Sequence, residues 1–209
     1  MITYRTAKKS EIDEIAKLQT EAFCNYDYFK MFVDDEKRRI RFLEALQKVG
    51  VRSSYKHEVV FVGVENNRIV SAAILKAPKA SESNLMDYIL AGGIRVLLTG
   101  GVRNTIGFIK MMKESSSRCF SEYPDSWYLT SLSVSSFYQG QGLGSKMLDE
   151  CIKPYIAKNG GGLLTLITNS ELNRSFYKKN GFIEFHESVI RRNGKQIGNW
   201  SYRQEIMPL

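Results

Sequence analysis

Three glycines follow an apolar stretch at every second position in Leu132-Ser133-Val134-Ser135-Ser136-Phe137-Tyr138-Gln139-Gly140-Gln141-Gly142-Leu143-Gly144-Ser145-Lys146. The run reads as a strand that passes through a glycine loop into a helix. Glycine has no Cβ, so Gly140, Gly142 and Gly144 let the main chain approach a ligand and turn its N–H groups toward one point. A helix starting near Gly142 adds unpaired donors and a positive dipole end, which together suit a phosphate. The helix rests on Leu143, Met147, Leu148, Cys151, Ile152, Tyr155 and Ile156, which recur at three- and four-residue spacings and share one face. Pro154 interrupts that pattern at a cost of roughly 3 kcal/mol in a helix interior, which predicts a kink or a distorted final turn.

Spacing separates the phosphate loops that could own this sequence. A nucleotide-hydrolase loop needs glycine, four residues, then Gly-Lys-Ser/Thr; here the order is Gly144-Ser145-Lys146 with no correctly placed first glycine. A dinucleotide fingerprint needs a third glycine where this chain has Ser145, and it opens a domain instead of lying far along it. The pattern Gln139-x-x-Gly142-x-Gly144 instead resembles the coenzyme A pyrophosphate loop of the GNAT superfamily, the acetyl-CoA-dependent N-acetyltransferases. An apolar strand follows at residues 163–168, and then Asn173-Arg174-Ser175-Phe176-Tyr177-Lys178-Lys179-Asn180-Gly181-Phe182. That segment is similar to the family's second signature, Asn-x-x-x-Tyr followed by x-x-x-Gly-Phe. The match covers residues 127–190 well and the N-terminal third loosely.

The element order is mixed α/β and does not name a fold without the resemblance. Residues 2–6 read as a strand, and Ser10 is positioned to cap a helix with Ile12, Ile15, Ala16, Gln19, Ala22 and Phe23 facing inward. A second helix starts at Asp34 or Asp35, buries Ile40, Leu43, Leu46 and Val49, and is expected to stop at Gly50. Strands at 57–65 and 68–76 join through Asn66-Asn67, and strands at 182–191 and 197–206 through Asn193-Gly194, a strong hairpin turn. Apolar runs at 85–98 and 102–112 form a helical insertion at about 79–125. The resemblance implies a GNAT-like acyl-CoA N-acyltransferase fold: a central, twisted, mostly antiparallel sheet flanked by helices, whose fourth and fifth strands run parallel and splay apart. At 209 residues the chain is most simply one domain, 1–209.

Composition narrows the function classes. A hydrophobic content of 43% and a charged content of 25% are ordinary for a globular protein. Cys24, Cys119 and Cys151 are too few and scattered for a disulfide framework or zinc cage, so no metal and a reducing cytoplasm are expected. The first residues carry no apolar signal segment, and no stretch approaches the roughly 20 residues of a membrane span. No membrane partner is expected on that ground. The net charge of +8 favours polyanions, which include both nucleic acid and coenzyme A. With no nucleic-acid motif or dense basic run, no nucleic-acid partner is expected.

Carried onto this chain, the resemblance makes acetyl-CoA the co-substrate. Main-chain amides of Gln139, Gly140, Gln141, Gly142, Leu143, Gly144 and Ser145 would grip the pyrophosphate. The main chain of Leu132, Ser133 and Val134 would pair with the pantetheine arm as a mock strand, with the Val134 N–H facing the thioester oxygen. Asn173 would hydrogen-bond the pantetheine, beside Phe176, and Tyr177 would protonate the departing thiolate. A phenol of pKa about 10 is a suitable acid for that step. Read from the residues alone, Phe176 and Tyr177 are equally core aromatics and Asn173 equally a helix N-cap.

Two departures from the family pattern stand out. Ser136 replaces a proline that often ends the fourth strand, and Thr130, Ser131 and Ser133 stand where many relatives place a glutamate base. The alternatives are a carboxylate such as Glu21 or Glu171 acting through ordered water, or an amine that arrives already neutral from solvent. His57 and His186 read as structural residues within strands, and Cys151 as a buried one. The Arg174, Lys178 and Lys179 cluster reads as a solvated helix face with one member available to the 3′-phosphate. Phe23, Tyr26, Tyr28, Phe29 and Trp200 are the candidate walls of an acceptor pocket, and equally a core. The expected reaction is direct attack by a primary amine, carried on a small molecule, in a ternary complex. A catalytically silent acyl-CoA-binding module and a protein or peptide N-acetyltransferase are the alternatives. The sequence leaves open whether the chain is a monomer or a homodimer.

Overall fold

The computed structural model describes residues 2–81 and 85–209. Residues 82–84 of the expected insertion lie outside the described residues. Seven strands form one sheet in the order β1-β2-β3-β4-β5-β7-β6, comprising β1 (Thr3–Thr6), β2 (Val59–Glu65), β3 (Arg68–Lys76), β4 (Trp127–Val134), β5 (Gly162–Thr168), β6 (Ile183–Arg192) and β7 (Lys195–Ile206). Every neighbouring pair is antiparallel except β4 and β5. The α/β class and the mostly antiparallel sheet are therefore as expected. Both hairpins form at the asparagines, with Asn66, Asn67, Asn193 and Gly194 all at positive φ.

Helices cover both faces. On one face, α1 (Ile12–Phe23) and α3 (Glu36–His57) bury Ile15, Leu18 and Val51 against Val60, Val62, Ala72 and Ile74. On the other, α7 (Leu143–Met147) continues through a π-helical turn at Leu148–Ile152 into α8 (Lys153–Lys158). Met147, Leu148, Ile152 and Ile156 pack there on Phe61, Leu75, Leu129, Leu164 and Leu166. The irregular turn lies directly before Pro154, which has no N–H to give to an α-helical ladder. A third cluster joins α2 (Asp27–Lys30), α3 and α6 (Val102–Glu122) to Ile190 and Ile197 of the last hairpin. Between β3 and β4 the described residues form α4 (Leu85–Leu90), α5 (Gly93–Gly100) and α6.

Two local expectations fail. Gly50 does not end α3, which runs on to His57 and makes that histidine the last helical residue instead of a strand residue. Glycine costs about 1 kcal/mol within a helix, whereas burial of Val49 and Val51 on either side returns about 1.5–3 kcal/mol for each side chain. Ser10 does not cap α1; it lies in a 3-10 turn at Lys9–Glu11, where the Glu11 carboxylate accepts the Lys8 N–H at 2.7 Å.

Candidate active site at the split between β4 and β5

The two parallel strands pair only at Trp127 with Leu164 and Tyr128 with Thr165. Beyond those positions β4 remains paired with β3 as far as Val134, and β5 remains paired with β7 as far as Thr168. Each strand thus keeps its outer partner while losing the other. The sheet opens there, and β4 from Leu129 to Val134 presents one unpaired edge.

The glycine loop sits at the end of that edge. Ser135 donates its N–H to Val70 O at 2.9 Å, and a 3-10 turn at Ser136–Tyr138 forms without a proline. The Gln139 amide donates to Val134 O at 3.1 Å, and that of Gln141 to Phe137 O at 3.0 Å, so both glutamines brace the loop from within. Gly140 and Gly142 have φ of +78° and +80° with open space around them, so conformation and not crowding requires glycine. Gly142 is the N-cap of α7 and offers no side chain, which leaves the first amides of that helix without an intrahelical acceptor. Residues 139–142 are exposed.

Across the opening lies α9 (Glu171–Lys179). Ser170 caps it by accepting the Asn173 N–H at 3.2 Å. The N-cap is therefore Ser170, and Asn173 stands three residues inside, where its side chain approaches the Tyr26 hydroxyl. The same hydroxyl accepts the Asn169 N–H at 2.8 Å and lies 3.4 Å from Thr168 Oγ1, tying α9 to the end of β5. Phe176 reaches the glycine helix: a Cβ added to Gly144 would lie 3.1 Å from the Phe176 ring and 4.0 Å from Val134. The two sequence motifs thus meet at Gly144, Val134 and Phe176.

Tyr177 is buried, with its ring 5.1 Å from Phe176, 5.4 Å from Phe182 and 5.9 Å from Tyr202. Burial pushes its phenol well above the ordinary value of 10.0, so it is neutral at physiological pH. Among the described residues no hydrogen bond engages that hydroxyl.

Thr130, Ser131 and Ser133 have separate tasks. Ser133 donates to Ala72 O at 3.1 Å, and Ser131 accepts from the buried Gln19 at 3.0 Å. Thr130 is the extra residue of a bulge: Leu129 pairs with Leu75 and Ser131 with Ile74, which leaves it unmatched. Its hydroxyl donates to Glu58 Oε2 at 3.0 Å. Burial raises the Glu58 carboxyl above the ordinary 4.5, while Thr130, Lys76, Ser54 and His57 oppose the shift. Sequence reasoning missed Glu58 because it lies 72 residues from Thr130, at the end of a helix expected to stop at Gly50. Glu21 and Glu171 are exposed, and Glu171 pairs with Arg174 at 3.5 Å.

Several remaining candidates have structural partners. Arg174 is bound to Glu184 at 2.9 and 2.8 Å and stacks 4.9 Å from the buried Trp200 ring. Tyr28 and Phe29 pack on Phe108 with ring separations of 5.9 and 5.6 Å, so these two serve the core. His57 bonds Ser81 at 3.0 Å and Asp87 at 3.1 Å. Cys151 is buried, and burial pushes its thiol up to about 11. Among the described residues no cluster of His, Cys, Asp and Glu could hold a metal ion.

A sheet split at its parallel pair, with a glycine-turned helix start on one side and an aromatic helix on the other, is the architecture of GNAT acetyltransferases. Residues 92–184 match the family model described as an acetyltransferase (GNAT) domain. Solved structures share the fold over essentially the full length. A Corynebacterium glutamicum protein described as histone acetyltransferase HPA2 and related acetyltransferase is 19% identical, with a TM-score of 0.69, covering 100% of this chain and 97% of its own. Drosophila melanogaster polyamine N-acetyltransferase is 13% identical, with a TM-score of 0.61, covering 98% and 100%. Salmonella typhimurium yncA, described as an acetyltransferase with its cofactor acetyl-CoA, is 17% identical, with a TM-score of 0.57, covering 100% and 96%. No curated protein matches the chain.

Proposed function

We propose that this protein is an N-acetyltransferase that moves the acetyl group of acetyl-CoA onto a primary amine of a small molecule, by direct attack in a ternary complex. The observation that carries the reading is the split itself: an unpaired β4 edge runs into exposed, glycine-turned amides, with Phe176 of α9 lying against Gly144 at their end. The Salmonella relative is described with acetyl-CoA and the Drosophila relative as acting on polyamines, which supports the donor and acceptor classes. The amides of residues 139–145 hold the pyrophosphate, and Leu132, Ser133 and Val134 pair with the pantetheine arm. Asn173 bonds that arm and Phe176 flanks it.

The amine nitrogen attacks the thioester carbon, a C–N bond forms, and the C–S bond breaks. Val134 N–H stabilises the oxygen as charge develops on it. Glu58, through Thr130 or a water beside it, takes the proton that the amine loses. Its carboxyl contacts a residue two positions, or about 7 Å, upstream of Leu132 along β4. Tyr177 gives its proton to the coenzyme A thiolate. Calorimetry with acetyl-CoA, followed by a screen of polyamines and arylalkylamines for coenzyme A release, tests the reading. Binding with amine-dependent release is expected; binding with no release from any amine would favour a silent acyl-CoA module, and no binding would remove the assignment.

A further inference from the structure

The insertion helices expose an unusual set of side chains. On α6, Thr105, Phe108, Met111, Ser115 and Cys119 face inward, while Val102, Ile106 and Ile109 form an outer stripe at spacings of four and three. On α5, Val96 is buried while Ile94, Leu97 and Leu98 point outward. Leu98 is 81% exposed, and Ile94 and Val102 are 60% exposed each. Ile89 and Leu90 of α4 extend this surface. Isolated exposed apolar residues are ordinary, but this many on helices that touch one another require a partner surface.

Charge identifies that surface. From residue 88 to residue 113 the chain has no Asp or Glu, while Arg95, Arg103, Lys110 and Lys113 are all exposed. None of these four takes part in an ion pair among the described residues. At 100° per residue, Lys113 falls within the Val102–Ile106–Ile109 stripe, with Lys110 and Arg103 along one flank. Cations around an apolar helix face are the pattern of a helix lying in the interface of an anionic bilayer. A second copy of this chain fits worse, because a two-fold interface would set the same cations against themselves.

We infer that α5 and α6 dock this protein peripherally on an anionic membrane surface, with Leu98, Val102, Ile106 and Ile109 entering the acyl boundary and Arg95, Arg103, Lys110 and Lys113 meeting lipid headgroups. No described helix is long and apolar enough to cross a bilayer, and surface docking requires none. The sequence-based expectation of no membrane partner rested on the lack of a span, which does not bear on docking. The inference is independent of acetyl transfer.

The test is sedimentation of the full chain with phosphatidylglycerol vesicles and with phosphatidylcholine vesicles. Partition at least tenfold stronger into the anionic vesicles is expected. Lys110→Gln should weaken it about fivefold, the contribution of one surface cation. The doubly substituted Leu98→Ser, Ile106→Ser chain, which keeps every charge and alters no buried residue, should lose at least tenfold while its melting temperature holds. Unchanged binding of that variant would reduce the effect to net charge and overturn the inference. Equal binding to both vesicles, binding to neither, or a dimer of the parent chain that this variant converts to monomer would also overturn it.

Discussion

The hydroxyl of Thr130 donates to Glu58 at 3.0 Å, joining the bulged residue of β4 to the C-cap that follows α3. Replacing Glu58 by Gln keeps an acceptor for Thr130 and removes the titratable carboxylate. If Glu58 takes the amine proton, kcat/KM should fall about a hundredfold while acetyl-CoA affinity holds. The pH profile supplies a second readout. Burial raises the Glu58 carboxyl above 4.5 against Lys76 and His57, so the base form appears later than for an ordinary carboxylate as pH rises. The parent enzyme should gain activity through that raised value, and the Gln variant should lack that limb. Unchanged turnover and an unchanged acid limb would assign the proton to another route.

Tyr177 tests the other half of the proton path. Its ring packs between Phe176, Phe182 and Tyr202, and Phe retains those contacts while deleting only the hydroxyl. Tyr177→Phe should keep the thermal stabilisation by acetyl-CoA and lower kcat about a hundredfold. Because burial raises the phenol above 10.0, the acid form persists through neutral pH, and any basic decline due to it should lie above that value. Full turnover in the Phe variant would remove this hydroxyl from the mechanism.

The loop glycines fail differently when given side chains. Gly142 has φ of +80° in open space, so Gly142→Ala pays for a left-handed conformation, about 1 kcal/mol of stability, and shifts the amides it aligns. Gly144 has no such constraint but faces Phe176 at 3.1 Å, so Gly144→Val pushes on the ring that spans the split. Calorimetry should find acetyl-CoA binding weakened at least tenfold in both. Native affinity in both variants would mean that the loop does not hold the cofactor.

Local chemistry made much of this architecture legible. Alternation and turn residues located both hairpins, and the glycine and Asn-x-x-x-Tyr motifs lie on elements that the structure brings together. What escaped was long-range. Gly50 looked like a stop because propensity is local, whereas the burial that carries α3 through it comes from α1 and β2. Asn173 looked equally like a cap until Ser170 proved to hold that position. Glu58 had no signature because its meaning depends on a bulge 72 residues away. Arg174, read as one of a solvated cluster, is held by Glu184 on the neighbouring strand.

That last pairing gives a stability prediction separate from catalysis. Glu184 accepts two bonds from Arg174 and one at 2.5 Å from the buried Tyr202, fastening α9 to the last hairpin. These partners, Arg174 first, lower its carboxyl from 4.5 to about 2. The folded-state value lies below the unfolded one, so the stabilisation is complete above about pH 4.5 and is lost as pH falls toward 2. Glu184→Gln removes this contribution at neutral pH and should lower the melting temperature there by several degrees. On acidification the gap between parent and variant should close, because the parent carboxylate becomes protonated and loses the same interaction. A melting-temperature difference that stays constant from pH 7 to pH 2.5 would show that charge at Glu184 does not hold α9 in place.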